Sequence, residues 1–456
     1  MSNLQRYAAW LKKLMPHFSL YIGLACFAGT LQAQPPVPRK LSLDEAIQLG
    51  LKNNLASLQA GNSNSLARVE RIRALSALLP TVSGSAGEYV QEINLATFGF
   101  HFPGVPSIIG PFAYSDIRAS ASMNLLDWSA RKNLRAAEQN QKAVELSGND
   151  ARDLVVEAVA NSYLSIIAAA ARVEAARSEA ATAQALYERA RDQHAAGVSP
   201  AIDELRSQVE WKSRQQQLLA AQNLFSKDKL TLARVTGLPP AQDFELSDTA
   251  PYAPLEGLTP EQMLDRAHQS RGDYLSLKAQ IQAAETTRDA ALAERYPKLA
   301  LEGNYGANGV NTAQLHPTFA FIGSVKVNIF DGGRIHADVA QADIEIRQRK
   351  DELGSLDQHI DVDIRSALLD LKSAADQVAV ARDNLDVANQ TLTQARDRFS
   401  AGVTDNIEVV QAQDAVANAQ EALISSMYAH NLAKVTLARA VGMTDTNLKQ
   451  FMGTSK

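Results

Sequence analysis

Residues 188–208 read ERARDQHAAGVSPAIDELRSQ, and residues 393–413 read TQARDRFSAGVTDNIEVVQAQ. The two stretches align on Gly197 and Gly402, and each runs on to a matching end, LTLARVTG at 230–237 and VTLARAVG at 435–442. Gly197 to Gly237 and Gly402 to Gly442 are both 40 residues apart. A period near 205 is far longer than the roughly 20–50 residues of a solenoid repeat. It implies a duplicated unit the size of a small domain, and a molecule with internal pseudo-symmetry.

Upstream of each glycine the pattern is helical for a very long way. Ser129 to about Ala196 holds no proline and one glycine, Gly148; Arg334 to about Ala401 holds no proline and one glycine, Gly354. About 65 residues at roughly 1.5 Å each make a rod of about 100 Å, which must pack lengthwise against others. Val155, Val159, Ser162, Ile166, Ala169, Val173, Ala176, Ala180 and Ala183 step in the four-three rhythm of a heptad seam, with small residues that permit close approach. Gly197 and Gly402 fall where a helix ends in a left-handed cap. Ser199 and Thr404 are candidate N-caps for a second helix running back. Each copy therefore holds a long helical hairpin with A-G-V at its tip.

Further upstream the copies also agree. Leu41 to Leu79 is helical in pattern, with Asp44 and Glu45 where the helix dipole favours acids, and Pro80 stops it. Leu258 to Tyr296 answers it, stopped by Pro297, at an offset of 217 residues. After each proline a period of two sets in. Phe319, Phe321, Val325, Val327 and Ile329 alternate with Ala320, Ser324, Lys326 and Asn328. In 114–125, polar Asp116, Arg118, Ser120, Ser122 and Asn124 alternate with apolar residues. This is the pattern of a half-buried sheet or of a transmembrane barrel. Stretches 82–90 and 299–306 are the partner strands, with loops at 99–111 and 306–317. The strands end at NLLDWSAR (124–131) and NIFDGGR (328–334), where Asp127 and Asp331 are natural helix N-caps.

The first 33 residues read as a secretory leader: Arg6, Lys12 and Lys13, an apolar stretch, then LQA at 31–33. The alternative to cleavage after Ala33 is lipidation at Cys26, although a lipobox wants an aliphatic residue where Gly23 stands. Cleavage removes the only cysteine and with it disulfides and cysteine metal sites. It also takes the net charge from −5 to −8, against nucleic acid as a partner. Beyond the leader no run of about 18 apolar residues marks a helical membrane span. The expected organisation is a signal peptide at 1–33 and a first repeat at 34–250, with hairpin 81–127 and a tip near 197. A second repeat at 251–445, with hairpin 297–331 and a tip near 402, precedes a tail at 446–456.

No catalytic or nucleotide-binding signature is present. The eight histidines are scattered and the seven methionines do not cluster, so no metal site or cofactor is expected. Acid pairs such as Asp361 and Asp363 read as a solvated helix face. Three functions fit: a membrane conduit, a soluble periplasmic or extracellular coiled-coil scaffold or adaptor, and an extracellular adhesin or structural rod. A soluble rod has no use for aromatic-rich amphipathic hairpins at one end. Four strands cannot close a barrel, and an open sheet edge in lipid leaves backbone groups unpaired. A conduit therefore requires several chains; eight strands from two or twelve from three are both physically possible.

With these features in order, the chain resembles the TolC-like outer-membrane efflux proteins, the outer-membrane factors of tripartite efflux and type I secretion systems. The resemblance covers about 41–445. It rests on the duplicated order of elements, NIFDGGR at 328–334, the A-G-V tips, and the ends ARVTGLP (233–239) and ARAVGM (438–443). It implies a mostly α fold with a β-barrel portion: duplicated long α-helical hairpins forming a periplasmic tunnel, and four β-strands per chain in a trimeric 12-stranded outer-membrane barrel. The implied partners are two further copies in a homotrimer, a periplasmic adaptor protein, an inner-membrane pump or transporter and outer-membrane lipid. In this family acidic rings narrow the tunnel near the second tip. Glu408 is the match; a second acid three residues on is replaced here by Gln411, and Asp203 holds the corresponding position of the first copy, where it also serves as a first-turn acid. Adaptor docking would fall on Gly197, Val198, Gly402 and Val403. Lys326 and Asn328 would face the barrel lumen, and Phe319, Phe321 and Val325 would face lipid.

Overall fold

The computed structural model describes residues 39–99, 103–248, 252–255, 257, 259–401, 403–404 and 406–444. The leader at 1–33 with Cys26, the tip residue Gly402 and the tail at 446–456 lie outside the described residues. In chain order the elements are β1 (Arg39–Leu41), α1 (Leu43–Asn53), α2 (Leu55–Ser76), β2 (Thr81–Asn94), β3 (Ile108–Leu126), α3 (Trp128–Ala195) and α4 (Ala201–Thr236). There follow β4 (Phe244–Leu246), α5 (Pro260–Ser270), α6 (Gly272–Ala293), β5 (Lys298–Gly309), β6 (His316–Lys326), α7 (Arg334–Ser400) and α8 (Asn406–Val441). The order helix pair, strand pair, long helix, return helix occurs twice. The long helices have 68 and 67 residues and the return helices 36 each.

The two helices expected at 41–79 and 258–296 are each broken in two. The breaks are at Asn54 (φ −67, ψ 137) and Arg271 (φ −63, ψ 119), again 217 residues apart. Asn54 stops one helix and caps the next, its Oδ1 accepting the Ala56 N–H at 2.9 Å. Each break docks on the glycine that ends the return helix of its own copy. Asn53 and Asn54 donate their side-chain amides to the carbonyls of Thr236 and Val235 at 3.2 and 3.1 Å. A Cβ on Gly237 would lie 2.5 Å from Asn53 Cβ. In the second copy Ser270 Oγ donates to the Val441 carbonyl at 2.6 Å and Arg271 Nη1 to that of Ala440 at 3.2 Å. A Cβ on Gly442 would lie 2.8 Å from Arg271 Cα. Both glycines have φ above +70°, so no other residue closes these contacts without strain.

Helix α3 is the spine, with α1, α2, α4, α6 and α8 packed along it; α7 packs on α6 and α8. The core gathers where most of them meet: Val155, Val156, Val159, Tyr163 and Ile166 of α3 against Leu232, Met263, Ile360, Ile364 and Leu437. An 18-residue stretch of α3 reaches a mean hydropathy of 1.7, enough by composition to cross a membrane, but half of it is buried within the fold. Six of the nine predicted seam residues of α3 are buried, and Ser162, Val173 and Ala176 are half-buried. Helix α7 carries the cleaner seam. Ile360, Ile364, Ala367, Leu371, Ala374, Val378, Ala381, Ala388 and Ala395 are buried at heptad spacing.

The caps differ partly from expectation. Asp127 caps α3, accepting the Ala130 N–H at 3.0 Å. Asp331 is not the N-cap of α7; Gly333 is, at φ 89. Asp331 acts from two residues upstream, its carboxylate accepting from Gly333 N–H at 3.1 Å and Ile335 N–H at 3.0 Å. Those bonds hold its pKa below the usual carboxylate range. Ser199 is not the cap of α4 either. Pro200 is, by its backbone, while Ser199 Oγ is buried without a partner among the described residues. Thr404 lies two residues before α8 begins.

The four long strands make one antiparallel sheet in the order β2-β3-β5-β6. Strand β3 begins at Ile108, inside the expected loop, and the second loop shrinks to residues 310–315. Strand β6 ends at Lys326, so Asn328 lies beyond it rather than on the sheet. The barrel is not closed within one chain. Strands β2 and β6 are its open edges.

Candidate functional site

The register resolves the sheet into two chemically distinct faces. Ser83, Ser85, Asp116, Arg118, Ser120, Asn304 and Thr318 share one; Val82, Ala86, Ile117, Ala119, Ala121, Tyr305, Phe319 and Phe321 share the other. Along β3 from Phe112 to Ala121 the polar-face residues Phe112, Tyr114, Asp116, Arg118 and Ser120 are half-buried, whereas Ala113, Ile117, Ala119 and Ala121 are exposed and Ser115 alone on that side is buried; the contrast ends at Ser122. The sheet therefore curls over its polar side and turns its apolar side outward, the sense a lipid-embedded barrel needs. Arg118 ties three strands across the concave face. It contacts both Asp116 carboxylate oxygens at 3.3 and 3.1 Å, Asn304 Oδ1 at 2.5 Å and Thr318 Oγ1 at 3.4 Å. Lys326 is on this face at the helix-proximal end, opposite Lys298.

At the opposite end the hairpin tips come together. The Val198 N–H returns to the Gln193 carbonyl at 2.9 Å and Gly197 takes φ 72, so the turn is tight. It leaves Val198 76 % and Val403 68 % exposed, two bare apolar side chains at the two tips. Val198, Pro200 and Asp203 from the first tip and Phe399, Ser400 and Thr404 from the second line one cleft of about 310 Å³. Asp203 Oδ1 is 3.8 Å from Arg206 Nη1 in its own helix. Glu408 reaches back across the second tip and accepts from Arg398 Nη1 at 2.9 Å. Gln411, one turn further along α8, is exposed. Val409 between them is fully buried against Ala395, Ala412, Leu186, Leu392 and Phe399, which fixes the orientation of this turn.

Two clusters escaped the sequence reading. Arg214 of α4, 6 % exposed, gathers three helices. It donates to Glu210 at 2.5 Å, to Glu179 of α3 at 3.2 Å, and pairs with Asp414 of α8. Burial raises the Glu179 pKa, and Arg214 opposes that rise. The second cluster lies on α8: His430, Asn431 and Lys434 are all nearly fully buried. Neither His430 ring nitrogen nor Asn431 Oδ1 has a hydrogen-bond partner among the described residues. The His430 ring lies 4.7 Å from that of Tyr252. Burial, then the Lys434 charge, lowers the His430 pKa to about 4, and burial lowers that of Lys434 to about 8. A signal was present in the sequence: residues 422–437 read ALISSMYAHNLAKVTL, with Lys434 the one Lys, Arg, Asp or Glu in a mostly apolar and small-residue stretch. The described residues hold no group of three His, Cys, Asp or Glu placed to bind a metal.

A curled amphipathic sheet at one end of a duplicated helical rod is the geometry of a membrane conduit, and the family comparison agrees. The family described as outer membrane efflux protein matches residues 46–238 and 263–443. The chain belongs to this family. Among curated relatives, the pyoverdine export outer membrane protein OpmQ of Pseudomonas aeruginosa is 24 % identical over 421 residues, covering 88 % of this chain and 85 % of OpmQ. The cation efflux system protein CusC of Escherichia coli is 25 % identical over 335 residues, covering 71 % of this chain and 72 % of CusC. Among solved structures, the outer membrane protein VceC of Vibrio cholerae superposes with a TM-score of 0.75 at 18 % identity, covering 88 % of this chain and 96 % of VceC. This outer membrane efflux protein is thus a channel protein of the outer membrane, in a family of channels rather than enzymes. The soluble scaffold and adhesin readings find no support among these relatives.

Proposed function

We propose that three copies assemble into the exit duct of a tripartite efflux or secretion system. The supporting observation is the curled four-stranded sheet, apolar outside and polar inside, with β2 and β6 left as open edges. Pairing the β6 of one copy with the β2 of the next closes twelve strands and satisfies every edge. The two repeats, 34–250 and 251–445, each contribute a strand hairpin to the barrel and a helical hairpin to a tunnel of about 100 Å. Phe319, Phe321 and Val325 meet outer-membrane lipid; Lys326 faces the lumen, and Asn328 belongs to the junction between barrel and tunnel. The tips carrying Val198 and Val403, with Gly197 and Gly402 beside them in sequence, receive a periplasmic adaptor that links the duct to an inner-membrane pump or transporter. Glu408 is the acid of the narrow end, with Gln411 and Asp203 beside it, and cargo passes chemically unchanged.

Light scattering of the purified protein in detergent tests the assembly. A trimer in the outer-membrane fraction is expected; a water-soluble monomer overturns the reading.

A further inference from the structure

The polar face of the sheet changes character at one end. From Thr81 to Gln91, β2 pairs with β3 without a register shift. Tyr89, Phe112 and Tyr114 therefore stand on the same face as Ser83, Ser85, Asp116, Arg118 and Ser120. The last β3–β5 pair is Ser115 with Gly309, so these three aromatics lie past the edge of the second hairpin, at the end of the sheet away from the helices. A water-filled lumen asks for polar side chains, and most of the rest of this face supplies them, Ile322, Ala300 and Ala320 excepted. Here it carries three rings. Tyr89 and Tyr114 stack at 5.0 Å between centroids and 17° between planes, and Phe112 is tilted 6.4 Å from Tyr114. The stack does not close on itself: Tyr89 remains 48 % exposed.

We propose that Tyr89, Phe112 and Tyr114 form an aromatic collar at the outer end of the lumen, which holds planar aromatic cations in passage by stacking. This rests on the channel reading and adds a class of cargo to it. Threefold repetition sets three such clusters around one aperture. Stacking on an aromatic ring is tolerant of the ligand's identity because any flat π system offers a face, and the electron-rich ring face favours a cation. The Asp116 carboxylate below the rings is tied to Arg118, so ring contact rather than a free charge provides the selectivity.

The test uses the full-length trimer in planar bilayers, with ethidium as the planar monovalent cation and tetrapropylammonium as the non-planar one, added on the barrel side. Ethidium should block the current with dwell times about tenfold longer than tetrapropylammonium. Tyr89→Ser with Tyr114→Thr should shorten the ethidium dwell about tenfold in a channel that still conducts. Should that pair fail to assemble, Tyr114→Leu retains bulk without a π face and should shorten it in the same direction. A conducting channel with equal dwell times for the two cations, or with ethidium dwell unchanged in the variants, overturns the collar alone. A protein that forms no conducting trimer overturns the channel reading and the collar with it.

Discussion

Lys229 and Lys434 occupy the same place in the two copies, 205 residues apart, and their surroundings could hardly differ more. Lys229 of α4 reaches the Asp243 carboxylate, which lowers the Asp243 pKa by hydrogen bond and charge, and rests over the rings of Phe225 and Phe244. Lys434 of α8 is 1 % exposed and has no ion-pair partner among the described residues. Four residues upstream, one helical turn away, Phe225 of the first copy is replaced by His430 in the second. A duplicated backbone thus tolerates opposite electrostatics. The same holds at the helix breaks, where a pair of neutral amides in the first copy becomes a buried guanidinium, Arg271, in the second. At these two positions the second copy buries charge that the first copy either leaves at an accessible ion pair or replaces with neutral amides.

The largest expected effect is at the break. Arg271 is held by Asp273 at 2.7 Å and Asp363 at 3.4 Å besides the Ala440 carbonyl. Arg271→Ala leaves those acids and that carbonyl without their donor, and should lower stability by about 4 kcal/mol, read as a fall in the thermal midpoint by circular dichroism. Asn54→Ala, the same position of the first copy, loses one amide bond and one helix cap and should cost about 1–2 kcal/mol. Equal losses at the two positions would break the comparison.

Next comes Lys434. Its folded pKa of about 8 lies below its ordinary value of 10.5, so the folded chain resists a proton that the unfolded chain accepts. The penalty is absent above the unfolded value, grows as pH falls from about 10.5 to 8, and is complete below that. At about 1.4 kcal/mol per unit it reaches about 3 kcal/mol at neutral pH. Lys434→Met should therefore raise stability by up to about 3 kcal/mol at pH 7 and abolish the rise between pH 8 and 10.5. His430, lowered from 6.5 to about 4, acts alike in its own window: stability falls as pH drops from 6.5 to 4. His430→Phe, which installs the residue of the first copy, should flatten that slope. A midpoint unchanged in both variants at every pH would show that α8 tolerates these groups as easily as α4 does its own.

Much of this architecture was legible because repetition and periodicity are carried by many residues at once. The bounds of α3 and α7 fall within one residue of those expected, since proline-free heptads of that length admit no other structure. The strand faces were legible for the same reason. What escaped depends on single residues in three dimensions. Nothing in the sequence distinguishes Asn54 or Arg271 from any polar residue in a helix; only their docking on Gly237 and Gly442 explains the breaks, although Gly272 just after Arg271 was an available hint. Asp331 looked like the N-cap until two left-handed glycines moved the helix start downstream. Arg214 resembles every other arginine on a solvated face, yet it joins α3, α4 and α8. At the candidate pore the family resemblance pointed to Glu408, while nothing in the sequence pointed to Arg398, which pairs with it across the turn.

That pairing sets the smallest and most informative effect. Asp203 and Glu408 are equivalent in the duplication, but Asp203 sits 3.8 Å from Arg206 within its own helix turn, whereas Glu408 bonds at 2.9 Å to an arginine of the preceding helix. In the proposed trimeric ring each Glu408 would therefore be paired with an arginine, and neutralising it would uncover Arg398 rather than leave a neutral pore. At tip exposures where water and salt screen strongly, Glu408→Gln should reduce cation-over-anion permeability by about twofold, and Glu408→Lys by more. Arg398→Gln should move it the opposite way, because it frees the carboxylate. Asp203→Asn, remote from any cross-helix partner, should change selectivity less than either. Reversal potentials in planar bilayers under a salt gradient measure all four. Should Asp203→Asn shift the reversal potential as far as Glu408→Gln, the two tips face the pore equally, and the difference between the copies lies elsewhere than in their acids.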